Sequence, residues 1–344
     1  MRRPLYIICG LVLAAFLLLF SLNAAIDKPN KYKNGFNRNI TTNALQIDKE
    51  IPLPGDASTI CNVTNETVYL QSEKAGVVYF TKDFKRMDTL RLAVSVVPAL
   101  RHPFFTIVHF PNVFILDVNG RRLVKGNFQT GGSSAIALQT PGPDSKPVWL
   151  SDRKIVVRCV DTATLDALFY KIDPLEGNAA IEKNVSERLG DAGFINDGTL
   201  LYDAKLQQLV FVNYYSNRIS VFDTNLALLN RYHTIDTVTR AGVSLSISKQ
   251  GIKSVTHKKP PRMINGPTSV YDAVLYVRSY LKGDNEQEFD NNIPIDRYSL
   301  TSGKYIGSIY LPYQSREKLE SFMVTDKYLY ALFRNKLVRM KINK

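Results

Sequence analysis

Beyond its first few dozen residues the chain consists of short apolar runs of alternating polarity, broken by turns rich in Asn, Asp, Gly and Pro. Alternation with period two over five or six positions predicts strands with one buried face. One unit is clearest: Gln208–Tyr215, then Asn217–Asp223, then Leu228–Tyr232, a strand, a tight turn, a strand ending in Asp, a turn and a third strand. The pattern recurs at Thr67–Gln71, Gly76–Phe80 and Arg86–Leu90, and at Phe105–His109, Val113–Asp117 and Arg122–Val124. It returns at Lys154–Arg158 with Ala167–Asp173, at Ala273–Arg278 with Pro294–Tyr298 and Tyr305–Tyr310, and at Tyr328–Phe333 with Lys336–Lys341. A further strand fits ahead of each unit, as in Ser134–Leu138 and Leu319–Val324.

Units of four strands and about 45–50 residues, repeated six times, predict an all-β, six-bladed β-propeller. The last unit stops after its third strand, while Gln46–Pro54 stands orphaned ahead of the first. That stretch resembles the outer strand Tyr305–Pro312, with which it shares an Ile-X-Leu-Pro ending. Residues 46–53 are therefore expected to join the C-terminal blade and close the ring, which removes an open sheet edge.

In these repeats, over residues 45–344, the chain resembles six-bladed propellers of the TolB-like and NHL-like kind, and exported propeller proteins of the Bacteroidota. The resemblance implies a fold and a periplasmic or surface setting. Such propellers include binding scaffolds and some lactonase-type or lyase enzymes, so it does not assign a function.

The first 25 residues follow another rule. Arg2 and Arg3 precede an uncharged apolar run, Leu5–Leu22, long enough to span a bilayer. This reads as a signal anchor or transmembrane helix over residues 1–25, with the chain beyond it outside the cytoplasm. Cleavage near Ala24 is the alternative, which would release a secreted or periplasmic domain. Residues 26–44, rich in Asn, Lys and Thr, read as a flexible spacer.

Composition adds constraints. There are 44 Lys and Arg against 31 Asp and Glu, a net charge of +13, but the basic residues are scattered except at Lys253–Arg262. Without interleaved aromatics, that segment reads as a solvated loop and nucleic acid is not expected as a partner. Three cysteines, Cys9, Cys61 and Cys159, allow at most one disulfide in the folded domain, Cys61–Cys159; two unpaired buried thiols are the favoured reading. Catalytic motifs are missing: His102, His109, His233 and His257 show no zinc spacing, and there is no nucleophile elbow or phosphate loop.

Lining up the units puts a polar residue at one register position: Gln71, His109, Arg158, Asn213 and Arg278, with Leu332 in the sixth. One register position points the same way in every blade. The five are candidate ligand-binding residues for a protein partner or a small polar or anionic ligand. The bland alternative is that polar strand ends meet solvent or brace a neighbouring loop. Asp284, Glu286, Glu288 and Asp290 in the insertion Lys282–Ile293 offer a weak Ca²⁺ site or a mobile acidic loop, and lack the glycine and terminal glutamate of an EF-hand; no cofactor is predicted. The alternative function is a metal-dependent lactonase-like hydrolase or lyase working in the central channel; since lactonase-type propellers use Glu, Asn and Asp at inner strand ends, the resemblance implies a place for Asn196 and Asp197, with no acidic partner assigned.

Overall fold

The computed structural model describes residues 3–26, 33–92, 100, 103–140, 145–151, 153–161, 166–176, 179–182, 196–239, 244–247, 253–256, 262–314 and 316–343. One helix, α1 (Arg3–Ile26), comes first, followed by strands β1 (Ile40–Thr41) and β2 (Leu45–Pro52). Blade one holds β3 (Ala57–Thr64), β4 (Thr67–Ser72), β5 (Val77–Thr81) and β6 (Asp88–Arg91). Blade two holds β7 (Phe104–His109), β8 (Asn112–Asp117), β9 (Arg122–Asn127) and β10 (Ser133–Ala137). Blade three holds β11 (Val148–Trp149), β12 (Ile155–Val160), β13 (Ala167–Ile172) and β14 (Ala179–Glu182). Blade four holds β15 (Gly198–Asp203), β16 (Gln208–Asn213), β17 (Arg218–Phe222) and β18 (Leu228–His233). A hairpin of β19 (Ser244–Ile247) and β20 (Lys253–Thr256) follows, before blade five with β21 (Asn265–Tyr271), β22 (Val274–Ser279), β23 (Ile293–Ser299) and β24 (Tyr305–Leu311). Blade six holds β25 (Leu319–Val324), β26 (Tyr328–Phe333) and β27 (Lys336–Ile342).

Each blade is an antiparallel meander, and the architecture is an all-β six-bladed propeller of four-stranded blades. Alternation along the strands sends apolar side chains into the spaces between blades. Among the described residues six buried clusters join neighbouring blades, and a seventh packs Phe36 against Ile264 and Leu281. One joins Cys61, Tyr69 and Val78 of blade one to Val108 and Val113 of blade two. Another joins Ile51 of β2 with Ile60, Val68 and Leu70 of blade one and Tyr330, Leu332 and Leu337 of blade six. Burying each such aliphatic side chain is worth about 1.5–3 kcal/mol.

β2 is the fourth strand of blade six. It runs antiparallel to β27 from Leu45 opposite Ile342 to Pro52 opposite Lys336, with a bulge between Ile47 and Lys49. Arg339 Nε donates to Asp48 Oδ2 at 2.6 Å, and Asn343 N–H donates to the Ala44 carbonyl at 2.9 Å.

Blade two departs from the expected strand ranks. Phe104–His109 is its first strand, not its second, and Ser133–Ala137 is its outer strand, paired with β9, and not the first strand of blade three. All four strands share the same alternation, so periodicity locates them without ranking them.

The spacer also differs from expectation. Residues 33–44 pack on blade five: Phe36, Arg38 and Ala44 are buried, and β1 runs parallel to β24 as a fifth strand. Residues 3–26 do form one helix, with side chains described from Gly10 to Ser21. Among the described residues no helix is long and apolar enough to cross a membrane. Cys61 and Cys159 are buried free thiols, so the possible disulfide is not formed; burial pushes the Cys61 pKa up to about 12. Within the basic segment, Lys253–Thr256 is a strand rather than a loop; residues 257–261 of that segment, with His257 and His102, lie outside the described residues.

Candidate functional site

In an antiparallel blade, the turn between first and second strands opens on one face of the ring and the turn between second and third strands on the other. Gln71, Arg158, Asn213 and Arg278 lie at or near the ends of β4, β12, β16 and β22, the second strands of blades one, three, four and five. They therefore share the face of the second-to-third turns. His109 ends β7, a first strand, and lies on the opposite face, its ring 4.9 Å from that of Trp149. The polar residue that blade two places at the end of its second strand is Asp117, which accepts from Gly120 N–H at 2.9 Å and Arg122 Nε at 2.8 Å within its own turn. Leu332 in blade six is fully buried in the apolar cluster it shares with blade one.

All four residues on the shared face are buried, and three of them brace the next blade. Gln71 Nε2 donates to the Phe104 carbonyl at 3.2 Å, and its Oε1 accepts from Thr106 N–H at 2.8 Å. Arg158 Nη1 stands 3.3 Å from Asp197 Oδ1, just ahead of β15. The Asn213 carbonyl accepts from Asn265 Nδ2 of blade five at 2.8 Å. Arg278 differs, lying over the ring of Tyr280 in its own blade at 4.5 Å. Gln71 thus satisfies the backbone of the neighbouring blade with its side chain, Arg158 meets a carboxylate there, and Asn213 is held through its carbonyl.

Blades three to five gather the remaining polar groups of this face. Tyr214 Oη pairs with Thr199 Oγ1 at 2.9 Å, and the Tyr214 carbonyl accepts from Ile264 and Asn265 N–H. A Cβ at Gly198 would collide with the Val212 carbonyl oxygen, so only glycine lets β15 start where Asp197 meets Arg158. Burial pushes the Asp197 pKa up against the opposing pull of Arg158. Burial lowers the pKa of Arg278, and the charge of Arg38 pushes the same way. Asn196, also buried, adjoins Asp197; among the described residues no three His, Cys, Asp or Glu side chains are grouped to hold a metal ion.

The acidic insertion has a role that the sequence did not show. Asp284 accepts from the N–H groups of Asn34 and Gly35 at 2.7 and 3.1 Å, and Asn285 exchanges hydrogen bonds with the Arg38 backbone. The Arg38 guanidinium is buried, with Nε 2.7 Å from Asp296 Oδ1, Nη1 donating to the Leu281 carbonyl at 2.9 Å, and Glu286 paired with the same Nη1. Glu286 also accepts from Tyr310 Oη at 2.7 Å. Burial alone would lower the Arg38 pKa; Asp296 and Glu286 outweigh it and raise it. Asp284 and Glu286 thus form a socket for residues 34–38 rather than a mobile loop. The partners stand about 250 positions apart in the chain, so no local pattern signals the socket.

No protein-family model matches the chain, and no curated protein matches it in sequence. Solved structures do. A member of the DUF4221 family from Bacteroides vulgatus is similar at 15% identity and a TM-score of 0.58, over 88% of this chain and 99% of that one. A streptogramin B lyase is similar at 12% identity and a TM-score of 0.52, over 87% of this chain and 98% of that one. Virginiamycin B lyase from Staphylococcus aureus matches at 9% identity and a TM-score of 0.52, over 87% of this chain and all of that one. At these identities the likeness establishes the six-bladed fold alone.

Proposed function

We propose that this chain is an extracytoplasmic binding or scaffold propeller, held at the inner membrane by residues 5–22, that takes a protein partner or a small polar or anionic ligand at its channel mouth. The mouth is the face of the second-to-third turns across blades three to five. The observation that carries the reading is the presence of two buried guanidinium groups on that one face, Arg158 and Arg278, beside Asn213, Tyr214 and Tyr280. Arginine forks suit carboxylate, phosphate or sulfate, and a partly desolvated setting strengthens the pairing.

The N-terminal segment supports this orientation. Asn34 and Gly35 are bonded to the turn between β22 and β23, so the chain leaves the propeller from the face that carries the mouth. Residues 27–33 reach at most about 25 Å when extended. An anchored propeller therefore presents the mouth toward the membrane. The pairing of β2 with β27 and the cluster that joins blades one and six support a ring sealed by residues 46–53.

The test is thermal unfolding of the full chain in a neutral detergent against a panel of small anions that includes phosphate, sulfate and gluconate. At least one should raise the melting temperature, and the rise should vanish in the combined variant Arg158→Gln, Asp197→Asn, Arg278→Gln, which leaves no buried acid unpaired. A rise that persists in that variant would remove the mouth from the account. Stoichiometric Ca²⁺ or Zn²⁺ in the purified protein would favour the metal-dependent enzyme instead.

A further inference from the structure

The opposite face carries a second concavity. Between blades two and three lies a cleft of about 510 Å³. Its floor is aromatic: the Trp149 ring sits 4.5 Å from Phe114 and 4.9 Å from His109, both tilted against it. Trp149 is only partly buried, so part of the indole borders the open volume. Its rim is cationic, with Lys125 from β9 and Arg153 from the turn between β11 and β12. Neither has an acidic partner among the described residues. The third rim cation, Lys154, is paired with Asp173, the only acid lining the cleft among the described residues. The backbone of Arg153 adopts a left-handed conformation, φ 65°, uncommon for a side chain of this size. Exposed Leu175 completes an apolar edge.

We propose that this cleft binds a small molecule carrying a negative charge on a flat aromatic ring, the ring lying against Trp149 and the charge meeting Lys125 and Arg153. An aromatic ligand gains offset or edge contacts with the indole and imidazole rings. An uncharged ring leaves two unneutralised cations at the rim; an anion without a ring leaves the indole in water. A cationic ligand is repelled. The site is independent of the channel mouth, lies on the other face of the ring, and stands even if the mouth binds nothing.

The chain has a single tryptophan. Its ¹⁵N-labelled indole N–H therefore gives one resonance, which reports on this cleft alone. Titration of the full chain in a neutral detergent with 1-naphthoate should move that resonance saturably, with a Kd below about 1 mM. The neutral 1-naphthylmethanol and the ringless acetate should each bind at least about tenfold more weakly. The variant Lys125→Ala, Arg153→Ala should weaken 1-naphthoate by about tenfold or more, whereas Arg86→Ala, which breaks an exposed ion pair in blade one, should leave it unchanged. Binding of 1-naphthyl phosphate distinguishes the charge source: tighter than 1-naphthoate identifies a phosphate, weaker a carboxylate. A resonance that fails to saturate, an equal affinity for the alcohol, or an undiminished affinity in the double variant would overturn the proposal.

Discussion

Arg38 and Arg153 show two fates of an arginine in one propeller. Arg38 is buried between Asp296 and Glu286, with a backbone carbonyl and the Phe36 ring as further neighbours. Arg153 stands exposed at the rim of a cleft with no acid paired to it among the described residues. Removing one partner of a buried pair leaves an uncompensated charge at a cost of about 3–5 kcal/mol, so Arg38 and its two carboxylates depend on one another. Charge left unmatched beside an exposed ring costs little and remains available to a ligand. The comparison therefore separates Arg38 from Arg153 by their partners, not by residue type or sequence neighbourhood.

The largest expected effect is in β2, which follows the Arg38 segment directly along the chain. Deleting residues 45–54 removes β2 and leaves β27 without its outer neighbour; cooperative unfolding should be lost or should shift to much lower temperature, measured by circular dichroism. Next, Arg38→Met strands two buried carboxylates and should cost about 3–5 kcal/mol in urea unfolding. The corresponding change at the cleft, Lys125→Ala with Arg153→Ala, should alter stability by no more than about 0.5 kcal/mol. If that order were inverted, partner-matching would not distinguish the two regions.

Asp236 sharpens the same point through pH. It is buried, accepts from Val238 N–H at 2.9 Å, and has no cation paired to it among the described residues. Burial, reinforced by the nearby charge of Asp296, pushes its pKa above the ordinary 3.8. The folded state thus holds this proton more tightly than the unfolded chain. That stabilisation is complete below the ordinary value and is lost as pH rises through the raised one. Asp236→Asn should remove this loss, leaving a flatter stability curve across that window; an unchanged slope would mean that Asp236 ionises as it does in the unfolded chain.

The strand grammar was legible because alternation is a local property. Nineteen short runs announce themselves, and the shared Ile-X-Leu-Pro endings of Gln46–Pro54 and Tyr305–Pro312 mark both as outer strands. Strand rank was not legible in blade two, since Phe104–His109 and Thr67–Ser72 alternate alike while one is a first strand and the other a second. That single slip carried His109 to the wrong face. Residues 33–44 looked like a linker because Asn and Thr make up half of them, yet Phe36 and Arg38 find their partners more than 200 positions along the chain. The cleft was invisible for a related reason: Lys125, Trp149 and Asp173 belong to different strands and turns of two blades. Gln71, Arg158 and Asn213 do stand at or near the ends of second strands, as the alternation placed them, but their contacts to the neighbouring blade join distant parts of the chain and left no local signal.

The account rests on the N-terminal segment being an integral part of the propeller. Hydrogen exchange, resolved strand by strand, tests this most directly. The amides of β27 that face β2, and those of β2 that face β27, should exchange only through global unfolding, at the same free energy as the central strands of blade four. Rapid exchange there, as at a frayed edge, while blade four stays protected, would contradict it.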